Sequence, residues 1–319
     1  MMNIIPSMCW SFREYNPVFP ERRILLEGRL IKAKGGFYDV QDFYGELIRC
    51  RVRGRLSEEG KKLLVGDRVS FILTDHGEGV IEDLFPRKNS LYRPPVANVE
   101  QAVAIMSIRE PVLDFILLDR VIISAEAAGL SVVICFNKLD LSGDEELEEV
   151  EQAAEVYNKC GYSVIFTCAV ANRGLEELKE FLKGKVNVLT GPSGVGKSTL
   201  INKLKPGMDL KTAPISKKSG KGRHTTRSVK LLPLAKDTYV IDTPGFQKLD
   251  LQGISSRELP LFFPEIAFHG SGCYFSSCLH LSEPECQVKS AVEIGDIASW
   301  RYHHYKVMLG EIQQKEQSY

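Results

Sequence analysis

The chain has 319 residues, 44% hydrophobic and 26% charged, with 41 Lys plus Arg against 41 Asp plus Glu. That is ordinary soluble globular composition, long enough for two or three domains, and its overall charge points to no partner. No apolar run approaches about 18 residues, which excludes a membrane-spanning helix from the expectation.

The first twenty residues lack a basic segment followed by a long apolar stretch, so no signal peptide is expected and the cytoplasm is the expected compartment. Eight cysteines are present. Cys9, Cys50, Cys135, Cys160 and Cys168 are scattered and read as reduced core residues. Cys273, Cys278 and Cys286 cluster.

Residues 23 to 85 read as short strands: RILLEGRLIKA, GFYDV, ELIRCRV, DRVSFIL and GVIEDLF, punctuated by glycine. Five such strands, with one brief helical pattern near Leu56 to Leu64, predict a small closed barrel of the OB type. Arg49, Arg51, Arg53 and Arg55 alternate, so those that share a strand share a face. Such a face is either a solvated surface or a stripe that touches phosphates. Arg93-Pro94-Pro95 is a stiff break and a candidate domain boundary.

Beyond it the period changes. QAVAIMSI, SVVICFN, YSVIFT, VNVLT and TYVIDT read as buried strands. LLDRVIISAEAAG, the acidic stretch Glu145 to Lys159 and GLEELKEFL read as helices between them. That alternation predicts a parallel α/β sheet covered on both faces. From about Leu249 the pattern is irregular, and a helix is expected from Ala291 to about Gly310.

VNVLT runs directly into Gly191-Pro192-Ser193-Gly194-Val195-Gly196-Lys197-Ser198-Thr199, a complete GxxxxGK[ST] motif between a strand and a helix. The glycines let backbone amides wrap phosphates, and the following helix adds its positive N-terminal end. Lys197 is expected on the β- and γ-phosphates and Ser198 on Mg²⁺. Asp242-Thr-Pro-Gly245 ends the strand TYVI. Asp242 suits a second Mg²⁺ contact, and the Gly245 amide suits the γ-phosphate.

Asn137-Lys138-Leu139-Asp140 selects the base. A carboxylate can accept from both N1–H and N2–H₂ of guanine, and adenine would leave it buried and unpaired. Asn137 suits N7, and the Lys138 stem can cover the ring. Thr167-Cys168-Ala169, after the next strand, fits a second base loop contacting guanine through backbone amides.

Between the phosphate loop and DTPG the chain crowds basic residues from Lys203 to Lys230 against one acid, Asp209. The run suits a solvated loop or an anionic partner. Within it lies Gly222-Arg223-His224-Thr225-Thr226. Thr225 or Thr226 would close on Mg²⁺ as a switch. Phe246 stands where Ras-like enzymes have a water-orienting Gln. His224 is therefore the leading candidate for that task, with Gln247 second.

These motifs resemble those of TRAFAC-type GTPases in a rotated order, with NKLD and the TCA loop preceding the phosphate loop and DTPG. The resemblance implies a circular permutation, with the switch-two end running directly into the Cys-rich region and transmitting nucleotide state to it.

Cys273-x₄-Cys278-x-His280-x₅-Cys286 supplies three thiolates and an imidazole, a closed tetrahedral zinc set; a disulfide with an odd cysteine is the alternative and suits a cytoplasmic chain poorly. The helix SWRYHHYKVML interleaves aromatic and basic residues, which suits RNA or a packed helix with one polar face.

The whole constellation resembles the bacterial RsgA (YjeQ) family of small-ribosomal-subunit-dependent GTPases. The resemblance implies an N-terminal extension (1–20), an OB-like barrel (21–93), a permuted P-loop GTPase domain (94–248) and a helical zinc-binding domain (249–319). It implies GTP and GDP with Mg²⁺, one structural Zn²⁺, and the small ribosomal subunit with its rRNA as partner and activator. It also implies a monomer that binds neither membrane nor DNA, in the cytoplasm. Two readings stay open beside it: a P-loop ATPase or kinase, and an RNA-binding module for which GTP is a slow clock.

Overall fold

The computed structural model describes residues 24–54, 62–91, 94–207, 210, 229–242, 251 and 253–318. The N-terminal extension, Arg55, the switch residues Gly222 to Thr226, and Gly245, Phe246 and Gln247 lie outside the described residues, as do Cys9 and Arg93.

Five strands form the barrel: β1 (Leu25–Lys34), β2 (Phe37–Asp42), β3 (Leu47–Val52), β4 (Arg68–Leu73) and β5 (Gly79–Leu84). Their order is β1-β2-β3-β5-β4, and β4 pairs back onto β1 to close the sheet. Alternation along each strand puts one side chain in two inside. Leu30, Val40, Cys50, Val69, Phe71 and Ile81 are fully buried there. Asp67, also fully buried, accepts from Arg87 through both oxygens at 2.7 and 2.9 Å and from the Leu64 amide. A short ribbon, β6 (Ser90–Leu91) with β7 (Val96–Ala97), leads out of the barrel.

The second unit is an α/β sheet. Strands β8 (Gln101–Ser107), β9 (Ser131–Asn137), β10 (Ser163–Thr167), β11 (Val186–Thr190) and β13 (Thr238–Asp242) run parallel in the order β10-β9-β8-β11-β13. β12 (Lys230–Ala235) pairs antiparallel with β13 and meets β1 at Lys230 and Lys32. The central strands β8 and β11 are buried along their whole length, which requires helices on both faces. Helices α1 (Phe115–Ala127) and α2 (Asp144–Lys159) cover one, packing Leu118, Val121, Ile122, Val150 and Tyr157 against the sheet. Helices α3 (Leu175–Leu182) and α4 (Lys197–Leu204) cover the other with Leu178, Leu182, Leu200 and Ile201. Each such side chain contributes about 1.5–3 kcal/mol of burial. Local signals place the helix starts. Asp114 accepts from the Leu117 amide ahead of α1, and Glu146 reaches back to the Gly143 amide ahead of α2.

The C-terminal module contains α5 (Pro264–Gly270), α6 (Gln287–Ile294) and α7 (Ser299–Glu316). The single helix expected from Ala291 to Gly310 is two helices. Gly295, at φ 86°, lets its amide reach the Ala291 and Val292 carbonyls and ends α6; α7 restarts at Ser299. The module's core joins Phe263, Ile266, Val288, Tyr305, Met308 and Leu309 to Ile123 of α1.

A buried charge cluster fixes that junction. Asp119 of α1 is fully buried and accepts from Arg301, from the Tyr157 hydroxyl at 2.8 Å and from His304 Nδ1 at 2.6 Å. Arg301 also donates to Glu265 of α5 at 2.7 and 3.2 Å. Burial pulls the Arg301 guanidinium down, but Asp119 and Glu265 outweigh it and hold its pKa raised. Nearer the surface, Arg120 pairs with Glu311 through both oxygens. Among the described residues no helix is long and apolar enough to cross a membrane.

Removing one partner of a buried pair strands the other charge. Arg301→Met is expected to lower the unfolding free energy by about 3–5 kcal/mol in urea denaturation. A loss under about 1 kcal/mol would mean that the carboxylates are solvated by other means.

Candidate functional site: one sheet edge and a thiol-rich turn

All five parallel strands end on the same edge, where open α/β sheets bind ligands. The residues of interest are Ser107, Asn137, Thr167, Thr190 and Asp242, together with the loops that follow them.

After β11 the chain turns at Gly191, with φ 135°, directly under β8. A Cβ there would lie 2.0 Å from the Ile105 carbonyl oxygen, so no other residue fits. Gly194 and Gly196 also have positive φ, at 90° and 98°. A Cβ on Gly196 would sit 2.4 Å from Asn137 Nδ2. That contact joins two motifs far apart in sequence. Asn137 Nδ2 donates to the Val195 carbonyl at 2.8 Å, and its Oδ1 accepts from the Thr167 hydroxyl at 2.9 Å.

Pro192 and Ser193 form the outer part of the phosphate loop, Val195 is fully buried, and Ser198 and Thr199 occupy the first turn of α4, half-buried. Lys197 Nζ donates to the Gly191 and Pro192 carbonyls at 2.8 and 2.6 Å. Burial alone brings its ammonium down to about 8. A desolvated cation ringed by carbonyls and backed by a helix N-terminus fits a phosphate chain. Asp242 ends β13, one residue past the pairing of Ile241 with Val188 of β11. This places the DTPG strand end beside the phosphate loop.

The base loops lie on the other side of β8. Lys138 takes a left-handed backbone, φ 65°, and its Nζ donates to the Glu110 carbonyl at 2.6 Å. Asp140 lies in the short turn that follows. The Cys168 thiol donates to Asp140 Oδ1 at 3.0 Å and accepts from the Ala171 amide at 3.4 Å. Backbone bonds between Cys168 and Arg173 close this loop, and Ala169 is buried. Sequence reading assigns this loop only backbone contacts with a base. The structure adds that the thiol orients the Asp140 carboxylate, and that Thr167 orients Asn137. No spacing signal announces either contact. They arise because the ends of β9 and β10 are register partners, Asn137 beside Thr167.

The cysteine cluster converges as well. One ligand atom from each of Cys273, Cys278, His280 and Cys286 lies within 4.8 Å of the others. His280 Nδ1 is 3.6 Å from Cys273 Sγ and 3.4 Å from Cys286 Sγ, and those sulfurs are 3.9 Å apart. A tetrahedral zinc with bonds of about 2.3 Å to sulfur and 2.0–2.1 Å to nitrogen implies separations of about 3.6 and 3.8 Å. A disulfide would need about 2.05 Å. The donor set therefore fits a metal ion of the zinc type. Glu283 accepts from the Leu279 and Leu281 amides, and the Tyr302 and Tyr305 hydroxyls donate to the His280 and Leu279 carbonyls. These contacts hold the turn in shape from outside.

The Lys197 environment has a pH consequence. The lowered pKa means the free lysine loses its proton as pH rises through about 8, whereas a phosphate chain gains from the charged form. Nucleotide affinity, by calorimetric titration, is expected to level off below that pH and to fall by up to about tenfold per pH unit above it. Constant affinity to about pH 9.5 would show that the charge is not needed.

Comparison with known proteins agrees with this arrangement. The family described as RsgA GTPase matches residues 84–252, and the RsgA N-terminal domain matches residues 27–81. The chain is 45% identical over 291 residues to the small ribosomal subunit biogenesis GTPase RsgA of Caldanaerobacter subterraneus, covering 91% of this chain and 97% of that one. It is 44% identical over 295 residues to the protein of that name from Geobacillus kaustophilus, covering 92% and 100%. Among solved structures it resembles YjeQ from Thermotoga maritima, with TM-score 0.80, 38% identity and coverage of 91% and 99%. YloQ, described as a circularly permuted GTPase, gives TM-score 0.79, 35% identity and coverage of 93% and 99%. With both family regions matched in chain order and the permuted strand arrangement shared with solved relatives, the chain belongs to the RsgA GTPase family and is a GTPase.

Proposed function

We propose that this GTPase is a late-stage assembly factor for the small ribosomal subunit, binding rRNA and coupling its own release to GTP hydrolysis. The observation that carries the reading is the meeting of the phosphate loop and the guanine motif through Asn137, in a chain whose relatives bear the name small ribosomal subunit biogenesis GTPase.

In this reading the amides of residues 191–199 wrap the phosphates, and Lys197 holds the β- and γ-oxygens. Ser198 and Asp242 hold Mg²⁺, which supplies charge neutralisation between those phosphates. Asp140 and Asn137 read guanine, the Lys138 stem covers it, and Thr167, Cys168 and Ala169 form the second base loop. Gly245 meets the γ-phosphate. Thr225 or Thr226 closes the switch, and His224 orients the attacking water. The four thiol and imidazole groups hold one structural Zn²⁺, with no ligand position left for catalysis. The domain limits 1–20, 21–93, 94–248 and 249–319 go with this assignment. So do a monomeric state, a cytoplasmic location and the absence of any role for DNA or membrane.

Two measurements test it. Phosphate release from GTP, with ATP as control, is expected to rise strongly when purified small subunits are added and to be lost in Lys197→Ala. Turnover indifferent to the subunit would remove the ribosome as activator while leaving the GTPase. Metal analysis of the purified protein is expected to find one zinc per chain, lost in Cys286→Ser. A metal-free protein that melts at the same temperature after chelation would end the zinc assignment.

A further inference from the structure

The strand between the phosphate loop and the guanine motif has an end that neither motif uses. β8 lies between β11, which leads into the phosphate loop, and β9, which ends in Asn137. The last residue of β8, Ser107, is the register partner of Asn137, as Thr167 is on the other side. Ser107 is 1% exposed, and its hydroxyl accepts from the Glu110 amide at 3.1 Å. The Leu113 amide donates to the Ile108 carbonyl at 3.3 Å, and Asp114 caps α1 directly afterwards. The loop that leaves β8 is thus fastened at both ends.

Two consecutive residues of this loop reach the NKLD turn. The Glu110 carbonyl accepts from Lys138 Nζ at 2.6 Å. Arg109 donates to the Leu141 carbonyl at 3.4 Å, and its Nε lies 3.8 Å from the Glu146 carboxylate in the first turn of α2. The loop therefore grips the turn on both sides of Asp140. The Arg109 contacts are long and exposed and contribute little alone. The Lys138 bond is short and charge-assisted, and it ends on the residue that Ser107 holds. A lysine stem has many rotamers, and fixing it over a ligand costs entropy. The Glu110 carbonyl supplies that ordering from the protein itself, which favours binding by preorganisation.

We propose that the Ser107–Glu110 segment is a third base loop. Ser107 is a positioning residue: its hydroxyl sets the Glu110 backbone, and the Glu110 carbonyl fixes Lys138 over guanine and so sets how long the nucleotide stays bound. This inference rests on the guanine reading of the proposed function and adds the element that holds the base-covering side chain. It also assigns the Lys138 ammonium a task separate from that of its stem. The stem covers the ring, and the ammonium anchors the stem.

The test follows release of N-methylanthraniloyl-GDP from the full chain by stopped-flow fluorescence, with unlabelled GDP as chase. Lys138→Met keeps an apolar stem and removes only the anchoring donor. It is expected to speed release at least about threefold, and Ser107→Ala is expected to do the same. Combining them should change the rate by less than about twofold from Lys138→Met alone, since both remove one link. Rates that multiply in the double variant would overturn the role of Ser107. Lys138 is half-buried and its variant is expected to fold; if Ser107→Ala does not melt cooperatively, Lys138→Met decides alone, and release at the wild-type rate overturns the clasp. Wild-type protein that holds labelled ADP as long as labelled GDP would instead overturn the guanine reading on which the clasp rests.

Discussion

The nucleotide edge depends on one buried carboxamide. Asn137 stands at the end of β9, receives a hydrogen bond from Thr167 at the end of β10, and donates one to the phosphate loop at Val195. Three segments that are remote in sequence are thereby held in one frame. Gly196 is part of the same constraint, since any side chain there would occupy the space of the Asn137 amide. In a low-dielectric interior a half-satisfied amide is costly, so the two bonds act as a unit. The geometry that wraps phosphates and the geometry that reads a base are therefore not independent. The permuted order leaves this frame intact, because strand ends and not chain order decide which loops meet.

A second frame binds the C-terminal module to α1. Asp119, Arg301, Glu265, His304 and Tyr157 share one buried network, and Arg120 with Glu311 extends it outward. Such networks are weak arguments for stability but strong ones for register, since few other packings satisfy every charge. The helix that carries Asp119 and Arg120 starts just after the loop whose Glu110 carbonyl receives Lys138. The module thus grips the helix next to the base loops. It is not a bead hung on the end of the chain.

The legible parts of the sequence were those where chemistry restricts residue type at fixed spacing. The phosphate loop, the NKLD motif and the Cys/His set fall there, and so does the switch from two-residue to helical periodicity near Pro95. What was not legible depends on long-range register. The pairing of Lys32 with Lys230 spans two domains, and Asp119 meets Arg301 across 182 positions. The Cys168 thiol has no part in the sequence reading of its loop, because a loop sequence does not reveal which side chain turns toward Asp140. The break in the last helical run has a local cause: the helix expected from Ala291 to about Gly310 runs through Gly295, whose left-handed backbone ends α6 instead.

One feature of the junction has mechanical meaning. Asp242 is woven into β13, and Leu251 is buried in the core that contains Ile123 of α1. Nine positions separate these two anchors, so the strand end that carries Asp242 and the core of the C-terminal module are tied closely along the chain, and α1 closes the same circuit through Ile123. Any shift of the module against the sheet would therefore have to reopen that close-packed core.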